Sequence, residues 1–364
     1  MVDDIIQETR HEIHFESSQT MEAVDDETVH LVITSPPYPM IEMWDNTFST
    51  QNQSILPALE NGESNLAFEL MHDELDKTWQ EVSRVLVPGG IACINIGDAT
   101  RTVGGTFELH PNHSRVTMSF LSLGFQALPC ILWRKPTNAP TKFMGSGMLP
   151  PGAYVTLEHE YILIFRKGNR RLFNRGKAMR ERRESAYFWE ERNSWFSDTW
   201  KLRGELQFMH GGGTMESRAR SGAFPFELAF RLVNMFSIHG ERVLDPFLGT
   251  GTSMQASMAS CRNSIGYEID TQLEAVIDFK LEGAVDHFND HVKKRVEKHE
   301  QVMRERATEG LSTKYTNDLL GVPVVTRQET LIAPRLLESI TKVKRGEYRV
   351  KHVSFTRSNH EPSG

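Results

Sequence analysis

The sequence predicts an α/β protein in which a mostly parallel, twisted sheet carries helices on both faces. The first observation is the apolar run 29–33, which reads as a buried strand and leads directly into Thr-Ser-Pro-Pro-Tyr at 34–38. The second is the strand end at 243–244, followed by a glycine-containing turn, a helix-like segment at 252–260 and a further strand at 263–270. This order predicts a βαβ unit whose ligand lies at the carboxyl ends of the strands.

The loop that follows the first strand offers hydrogen-bond acceptors. Pro36 and Pro37 have no backbone N–H, so each contributes only a carbonyl acceptor. Ser35 adds a hydroxyl that can also accept, and Tyr38 adds an aromatic face. Acceptors beside a stacking ring suit a flat heterocycle with an exocyclic amino group, such as a nucleobase, although Ser-Pro-Pro is also an ordinary turn.

The glycine-containing turn suits a nucleoside ligand. Gly249 and Gly251 let the backbone approach a ligand closely. Glu268 ends the next strand, where an acid can bind ribose hydroxyls. The glycines do not match the full dinucleotide pattern, and the sequence contains no Gly-x-x-x-x-Gly-Lys phosphate loop. A nucleoside without phosphates is therefore favoured, and S-adenosylmethionine is such a ligand.

Together the two motifs resemble those of the nucleic-acid amino-methyltransferases, which methylate N4 of cytosine or N6 of adenine. The resemblance covers most of residues 10–270. The loop that carries Ser35 precedes the glycine-containing turn, an order similar to that of the circularly permuted β class. The resemblance therefore implies a Rossmann-like methyltransferase sheet with the catalytic half before the cofactor half, in a catalytic domain at 10–272.

The resemblance also implies roles for single residues. Ser35 and the carbonyl of Pro36 would accept the two amino hydrogens of the base, and Tyr38 would stack on it. Ser35, in place of the commoner Asp, favours cytosine N4 over adenine N6. The implied catalytic residues are Ser35, Pro36, Pro37 and Tyr38. The implied cofactor-binding residues are Ser17, Phe224, Pro225, Asp245, Phe247, Gly249, Thr250, Gly251, Thr252 and Glu268.

Further elements are expected from the same resemblance. Residues 91–98 should form the strand after the catalytic strand. Segments 131–135 and 159–165 should form an antiparallel pair that ends the sheet. Because of the permutation, the strand at 13–15 should lie beside the strand at 265–269.

A basic and aromatic stretch is the candidate for nucleic-acid contact. Residues 166–183 are rich in Arg and Lys, and several aromatic residues follow between 187 and 200. The formal net charge of −7 argues against binding over the whole surface, so local charge is the better guide. Relatives of the β class carry their target-recognition region here, which predicts such a segment at 166–215. The candidate substrate-binding residues are Trp44, Arg170, Arg171, Arg175 and Lys177.

Composition is typical of an enzyme in a reducing, cytoplasmic compartment. The three cysteines, at 93, 130 and 261, lack metal-ligand spacing and lie in or beside apolar segments, which predicts free thiols and no metal site. The sequence shows no apolar stretch long enough to span a bilayer, and it predicts no signal peptide.

The remaining segments give coarser expectations. Residues 41–76 read as an insertion with few strand signals, either a lid or a DNA-facing element. Residues 273–357 are expected to form a helical C-terminal extension, which is irregular after Gly310 apart from a strand at 349–355. A role of this extension in a homodimer is a hypothesis. Residues 358–364 are expected to be disordered.

The favoured function is a site-specific DNA methyltransferase that acts on cytosine N4 of flipped bases in double-stranded DNA, alone or beside a cognate restriction endonuclease. Adenine-N6 methylation of DNA and cytidine-N4 methylation of RNA remain open, because both could use the same pocket. A non-catalytic nucleic-acid-binding protein is disfavoured, since it would need neither motif. A small-molecule methyltransferase would leave the basic segment without a role.

Overall fold

The computed structural model describes residues 7–135, 144–203 and 224–356. The strands are β1 (Gln7–His14), β2 (Val29–Thr34), β3 (Leu86–Ile96), β4 (Ala99–Val103), β5 (Thr106–His110), β6 (Phe125–Arg134), β7 (Met144–Gly145), β8 (Ala153–Tyr154), β9 (His159–Lys167), β10 (Thr199–Lys201), β11 (Arg242–Asp245), β12 (Asn263–Tyr267), β13 (Tyr315–Thr316), β14 (Pro323–Val324), β15 (Arg335–Lys344) and β16 (Glu347–Ser354). The α-helices are α1 (Asp45–Gln51), α2 (Ile55–Glu60), α3 (Ser64–Val85), α4 (Asn112–Ser122), α5 (Gly176–Glu184), α6 (Trp189–Trp195), α7 (Phe226–Phe236), α8 (Thr252–Ala259), α9 (Leu273–Leu281) and α10 (Ala284–Thr308).

One ten-stranded sheet organises the fold, in the order β10-β6-β9-β3-β2-β11-β12-β1-β16-β15. Strands β3, β2, β11, β12 and β1 are mutually parallel. Their carboxyl ends therefore share one edge of the sheet, which we call the carboxyl edge, and the opposite edge is the amino edge. The predicted parallel sheet is confirmed.

The permutation is visible in the pairing of β1 with β12. The two strands run parallel, with His11 opposite Ser264 and Ile13 opposite Gly266. The strand near the start of the chain thus continues the sheet where the cofactor half ends, as the sequence predicts.

The predicted antiparallel pair is also present. Strand β9 lies between β6 and β3 and runs antiparallel to both. Ile131 faces Ile162 across the first pair, and Ile96 faces Tyr161 across the second. Because β9 is antiparallel to β3, its first residues lie at the carboxyl edge and Lys167 lies at the amino edge.

Helices cover both faces of the sheet, because successive strand residues point to opposite sides. In β2, Ile33 packs into the cluster that includes Leu228 of α7, whereas Val32 packs into the cluster that includes Trp79 of α3 and Phe120 of α4. The predicted two-sided architecture is confirmed. The insertion at 41–76 is helical, and its last part is the start of α3 rather than a separate element.

The C-terminal extension is only partly helical, which corrects the expectation for residues 273–357. Helices α9 and α10 end at Thr308, and β15 and β16 then form a hairpin. Strand β16 pairs antiparallel with β1, with Arg10 opposite Arg349, so the hairpin extends the main sheet. The sequence indicates β16 but not β15, because the residues of β15 carry many charges. Such charges are typical of an edge strand, and β15 is the last strand.

Cys93 and Cys261 are buried, Cys130 is half-buried, and all three are free thiols. Within the described ranges, no helix is both long and apolar enough to cross a membrane. The segment 358–364, predicted to be disordered, lies outside the described residues.

Candidate active site

A cleft of about 720 Å³ opens at the carboxyl ends of β2, β11 and β12. This volume is in the range of small-molecule sites. Most of the residues predicted from the two motifs line it. They are Ser17, Ser35, Pro36, Pro37, Tyr38, Trp44, Phe224, Asp245, Phe247, Gly249, Thr250, Thr252 and Glu268. Pro225 and Gly251 are not lining residues, and each precedes the first residue of a helix, α7 and α8 respectively.

The loop after β2 is held by hydrogen bonds on its polar side chains. Ser35 Oγ donates to Tyr38 Oη at 3.1 Å, and Tyr38 Oη donates to Glu160 Oε2 at 2.9 Å. Asn95 Nδ2 lies 2.8 Å from Tyr38 Oη and 2.7 Å from Glu160 Oε2. The hydroxyls are therefore oriented by residues from β3 and β9, far away in sequence.

Tyr38 lies against the backbone at Gly97. A Cβ atom at residue 97 would be 3.0 Å from Tyr38 Cε2 and 3.2 Å from Glu160 Cγ, so only glycine leaves room for the tyrosine ring here. Burial and the neighbouring Glu160 carboxylate both raise the pKa of Tyr38 well above its usual value. The phenol therefore keeps its proton at neutral pH.

Asp245 is the buried acid at the carboxyl end of β11. Its Oδ1 accepts hydrogen bonds from Thr34 Oγ1 at 2.6 Å and from the backbone N–H of Phe247 at 3.1 Å. Its Oδ2 accepts from Ser253 Oγ at 2.5 Å. Burial raises the pKa of Asp245 to about 6, although these hydrogen bonds act in the opposite direction. The carboxylate is thus fixed by its own chain and still lines the cleft.

Glu268 follows β12 and accepts a hydrogen bond from the glycine-containing turn. Its Oε2 accepts from the N–H of Gly249 at 2.8 Å, and its Oε1 accepts from the N–H of Asp270 at 2.8 Å. Gly249 has φ +56° and Gly251 has φ +82°, a region in which side chains are strained. Burial raises the pKa of Glu268. Each carboxylate oxygen keeps lone pairs that can accept hydrogen bonds from ribose hydroxyls.

These residues fit a nucleoside bearing an amino-acid chain, such as S-adenosylmethionine. Glu268 could supply acceptors for ribose hydroxyls, and the buried Asp245 could supply a negative charge for an ammonium group. The Phe247 ring lies 5.9 Å from that of Trp79 and offers an apolar wall. Ser17 lines the same cleft, where the resemblance places the adenine.

Trp44 lies on the insertion and lines the cleft. The same insertion contributes Met43, Thr47 and Phe48 to the lining. Next to Trp44, Asp45 forms a bidentate ion pair with Arg101 of β4, at 2.8 and 2.7 Å. This part of the insertion therefore forms one wall of the cleft, and its role as a lid or a DNA-facing element stays a prediction.

The predicted substrate contacts in the basic segment lie away from the loop at 35–38, and their role stays a prediction. Arg171 pairs with Glu241, which precedes β11 and so lies at the amino edge, opposite the cleft. Arg170 and Arg175 are exposed in the same connection after β9, and Lys177 pairs with Glu181 within α5. The segment is basic, but it follows the end of β9 at the amino edge and therefore lies away from Ser35.

Three of the aromatic residues that follow are packed inside the protein. Phe188, Trp195 and Trp200 are all buried, and the Phe188 ring stacks on that of His299 from α10 at 4.0 Å. They hold the C-terminal extension against the sheet and are not exposed for base stacking. Residues 204–215 of the predicted target-recognition segment lie outside the described residues.

Two functional candidates were missed by the sequence-based prediction. Asn95 and Glu160 lie on β3 and β9 and meet the loop at 35–38 only because these strands pair across the sheet. The strands themselves are predicted, and polar residues near the carboxyl edge of two apolar strands are the signal that could have found them.

Comparison with known proteins supports a specific family. A family model described as DNA methylase, N6_N4_Mtase, matches residues 29–278. The chain is 48% identical over 342 residues to the Type II methyltransferase M.MthZI of Methanothermobacter thermautotrophicus, covering 93% of this chain and 94% of the relative. It is 51% identical over 284 residues to the Type II methyltransferase M.MjaI of Methanocaldococcus jannaschii, covering 75% and 91%.

Solved structures agree on the fold. TTHA0409 of Thermus thermophilus, in complex with S-adenosyl-L-methionine, matches with a TM-score of 0.56 and 30% identity over 74% of this chain and 94% of that one. The PvuII DNA methyltransferase, which is cytosine-N4-specific, matches with a TM-score of 0.52 and 16% identity over 76% and 90%, a likeness of fold alone. The family match, the relatives and the cleft lead to one conclusion: this chain belongs to the DNA methylase family and is a DNA amino-methyltransferase of its N6/N4 group.

Proposed function

We propose that this protein is a site-specific DNA methyltransferase that uses S-adenosylmethionine to methylate N4 of cytosine. The observation that supports this proposal most directly is the position of Ser35 at the carboxyl end of β2. A serine here, in place of the commoner Asp of the family, favours cytosine. Its hydroxyl donates to Tyr38 Oη at 3.1 Å, so a lone pair of Ser35 Oγ remains to accept a hydrogen of the target amino group.

The residues of the chain would activate a weak nucleophile. The lone pair of an exocyclic amino group is delocalised into the base, and acceptors for both of its hydrogens favour a more pyramidal nitrogen. Ser35 Oγ and the carbonyl of Pro36 would be these acceptors, and the Tyr38 ring would stack on the base. Bound S-adenosylmethionine supplies the methyl group, whose bond to sulfur breaks as the bond to nitrogen forms. Positioning would contribute much of the rate.

The target base must leave the double helix to reach this site. Ser35 lines a cleft that residues 41–48 of the insertion also border, and a base that is stacked and paired in a duplex presents only its edges to the grooves. Flipping costs a few kcal/mol of stacking and pairing, which contacts in the cleft must offset. Base flipping is therefore part of the proposal.

A modification role beside a restriction endonuclease is proposed from the relatives. M.MthZI and M.MjaI are both named Type II methyltransferases. We expect DNA from cells that express this protein to resist one Type II endonuclease whose recognition sequence contains the methylated base. DNA that is cut by a full panel of such nucleases as readily as control DNA would argue against this role.

The test is transfer of radiolabelled methyl from S-adenosylmethionine to duplex DNA and, in parallel, to structured RNA. Label in DNA, lost in Ser35→Ala, is the expected result. Ser114→Ala is the matched control, because Ser114 is exposed on α4 and lies outside the cleft. Label only in RNA would replace duplex DNA by RNA as the substrate. No transfer to either, with the cofactor bound, would favour a non-catalytic protein.

A further inference from the structure

A chain of hydrogen bonds leads from the target site to a carboxylate on β9. Ser35 Oγ donates to Tyr38 Oη, and Tyr38 Oη donates to Glu160 Oε2. Both donor bonds point the same way, from the cleft towards Glu160. The three groups therefore form a continuous path along which a proton can move by exchange between neighbouring oxygens.

Asn95 fixes the direction of this chain. Its Nδ2 lies within 2.8 Å of Tyr38 Oη and Glu160 Oε2, and 3.4 Å from Ser35 Oγ. An ionised carboxylate only accepts hydrogen bonds, so the amide must turn its NH₂ group towards Glu160. Asn95 can then donate to the hydroxyl oxygens but not accept from them. The hydrogen of Tyr38 is left to point at Glu160.

The second carboxylate oxygen of Glu160 has a separate partner. Its Oε1 forms an ion pair with Lys135 Nζ, which also lies 4.3 Å from the centre of the Trp133 ring. The Glu160 side chain is 15% exposed and that of Lys135 is 35% exposed. The partial exposure of both side chains gives a route for a captured proton to reach solvent.

Amino methylation requires such an acceptor. When the amino nitrogen gains a methyl group it becomes cationic, and it must lose one proton to become the neutral methylamino product. Ser35 is the group expected to contact the amino hydrogen, and its own hydrogen is already directed at Tyr38.

We propose that Glu160 is the terminal acceptor of this proton, which reaches it through the hydroxyls of Ser35 and Tyr38. The N–H bond breaks and its electron pair stays on nitrogen. Ser35 Oγ gains that proton and passes its own to Tyr38 Oη, and Tyr38 passes its own to Glu160 Oε2. Both hydroxyls are regenerated, Glu160 becomes a neutral acid, and no other reactant is needed. The inference rests on the proposed amino methylation but not on the choice of base.

The test compares Glu160→Gln with Glu158→Gln in single-turnover methylation of duplex DNA. Glu158 is the matched control, because it lies two residues away and pairs with the exposed Arg134. Glu160→Gln keeps an oxygen acceptor for Tyr38 but cannot take up a proton. We expect a loss of about 100-fold in rate, the range of general-base catalysis. Glu158→Gln should keep the wild-type rate.

Tyr38→Phe breaks the same chain at its middle without touching Glu160. It should lower the rate by a similar factor, and the double variant should be no worse than either single one, because the two residues act in one path. Calorimetric affinity for S-adenosylmethionine and the fluorescence of an analogue of the target base should stay within twofold of wild type in Glu160→Gln.

Glu160→Gln with the wild-type rate would overturn the proposal. Loss of rate together with loss of cofactor affinity and base capture would also overturn it, since Glu160 would then only support the loop. The nucleoside product of the wild-type enzyme separates this question from the proposed function. N6-methyladenine as product would end the cytosine assignment and leave the proton path intact.

Discussion

Thr34 Oγ1 donates a 2.6 Å hydrogen bond to Oδ1 of Asp245, two residues that are 211 positions apart in the chain. Thr34 ends the strand that leads into the Ser-Pro-Pro-Tyr loop, and Asp245 ends the strand that leads into the glycine-containing turn. Since Ser253 of α8 donates to the other oxygen of the same carboxylate, one buried acid connects the strand before the Ser-Pro-Pro-Tyr loop with the helix after the glycine-containing turn.

Asp245→Asn is expected to weaken cofactor binding and to stabilise the fold at pH 8. Burial raises the pKa of Asp245 from 3.8 to about 6, so ionisation in the folded state is unfavourable. The resulting loss of stability is absent below pH 3.8, grows up to pH 6 and is complete above it, at up to about 3 kcal/mol. Urea unfolding and calorimetric titration with S-adenosylmethionine measure the two effects.

Thr34→Val is the companion variant, because it removes one donor to Asp245 and leaves the charge. Without that hydrogen bond the pKa of Asp245 should rise further. The pH at which cofactor affinity is lost on acidification should therefore move upwards. An affinity for S-adenosylmethionine that is unaffected by Asp245→Asn would remove Asp245 from the cofactor site.

Tyr38→Ala should lower turnover on DNA far more than it lowers affinity for S-adenosylmethionine. Stacking of a base on an aromatic ring contributes about 1–3 kcal/mol, equivalent to a roughly 5- to 150-fold effect on capture of the flipped base. Tyr38→Phe keeps the ring and should retain base capture, measured by fluorescence of an analogue at the target position. Equal losses of turnover and cofactor affinity would contradict the stacking role.

Gly97→Ala should impair catalysis by displacing Tyr38, because the added Cβ would lie 3.0 Å from Tyr38 Cε2. We expect at least a tenfold loss in the rate of methyl transfer with the cofactor still bound. Gly124→Ala is the contrasting variant, because a Cβ there meets no atom within 4 Å but the backbone has φ +83°. It should lose about 1 kcal/mol of stability and keep its rate. A fully active Gly97→Ala would show that the ring position is not critical.

Low pH should destabilise the fold because several histidines are buried in their neutral form. Burial lowers the pKa of His11, His72 and His352 to about 3 in each case. The resulting loss of folding stability is absent above pH 6.5 and grows as the pH falls from 6.5 towards 3, because only the unfolded state takes up protons in that range. At pH 5 the loss is about 2 kcal/mol per histidine.

The measurement is the free energy of urea unfolding between pH 7.5 and 5. His72→Asn should reduce the slope of this free energy against pH, whereas His113→Asn, at a half-exposed position beside Asp98, serves as the control. An identical slope in wild type and His72→Asn would contradict the assignment. The comparison of slopes isolates the histidine from the carboxyl groups, which also titrate in this range.

The two motifs could be predicted because each is local in sequence. Ser35 and Tyr38 share one loop, and Gly249 and Glu268 belong to one βαβ unit, so periodicity and turn composition are enough to bring them together. The permuted order of the sheet was implied by the resemblance to the β class, and the pairing of β1 with β12 agrees with it.

What could not be predicted depends on contacts between distant elements. Glu160 reaches Tyr38 only through the antiparallel pairing of β9 with β3. The position of the basic segment could not be predicted, because charge density does not indicate at which edge of the sheet a connection lies, and Arg171 pairs with Glu241 at the amino edge. Strand β15 was not predicted, because an edge strand can carry charged residues that hide the alternation of apolar and polar residues.

The central claim is that Ser35 and its loop direct a methyl group to N4 of cytosine in DNA. The most direct measurement is mass spectrometry of the nucleosides released from duplex DNA after incubation with the wild-type protein and S-adenosylmethionine. N4-methyldeoxycytidine, absent from the Ser35→Ala reaction, is the predicted result. N6-methyldeoxyadenosine as the product, or no methylated nucleoside from DNA, would contradict it.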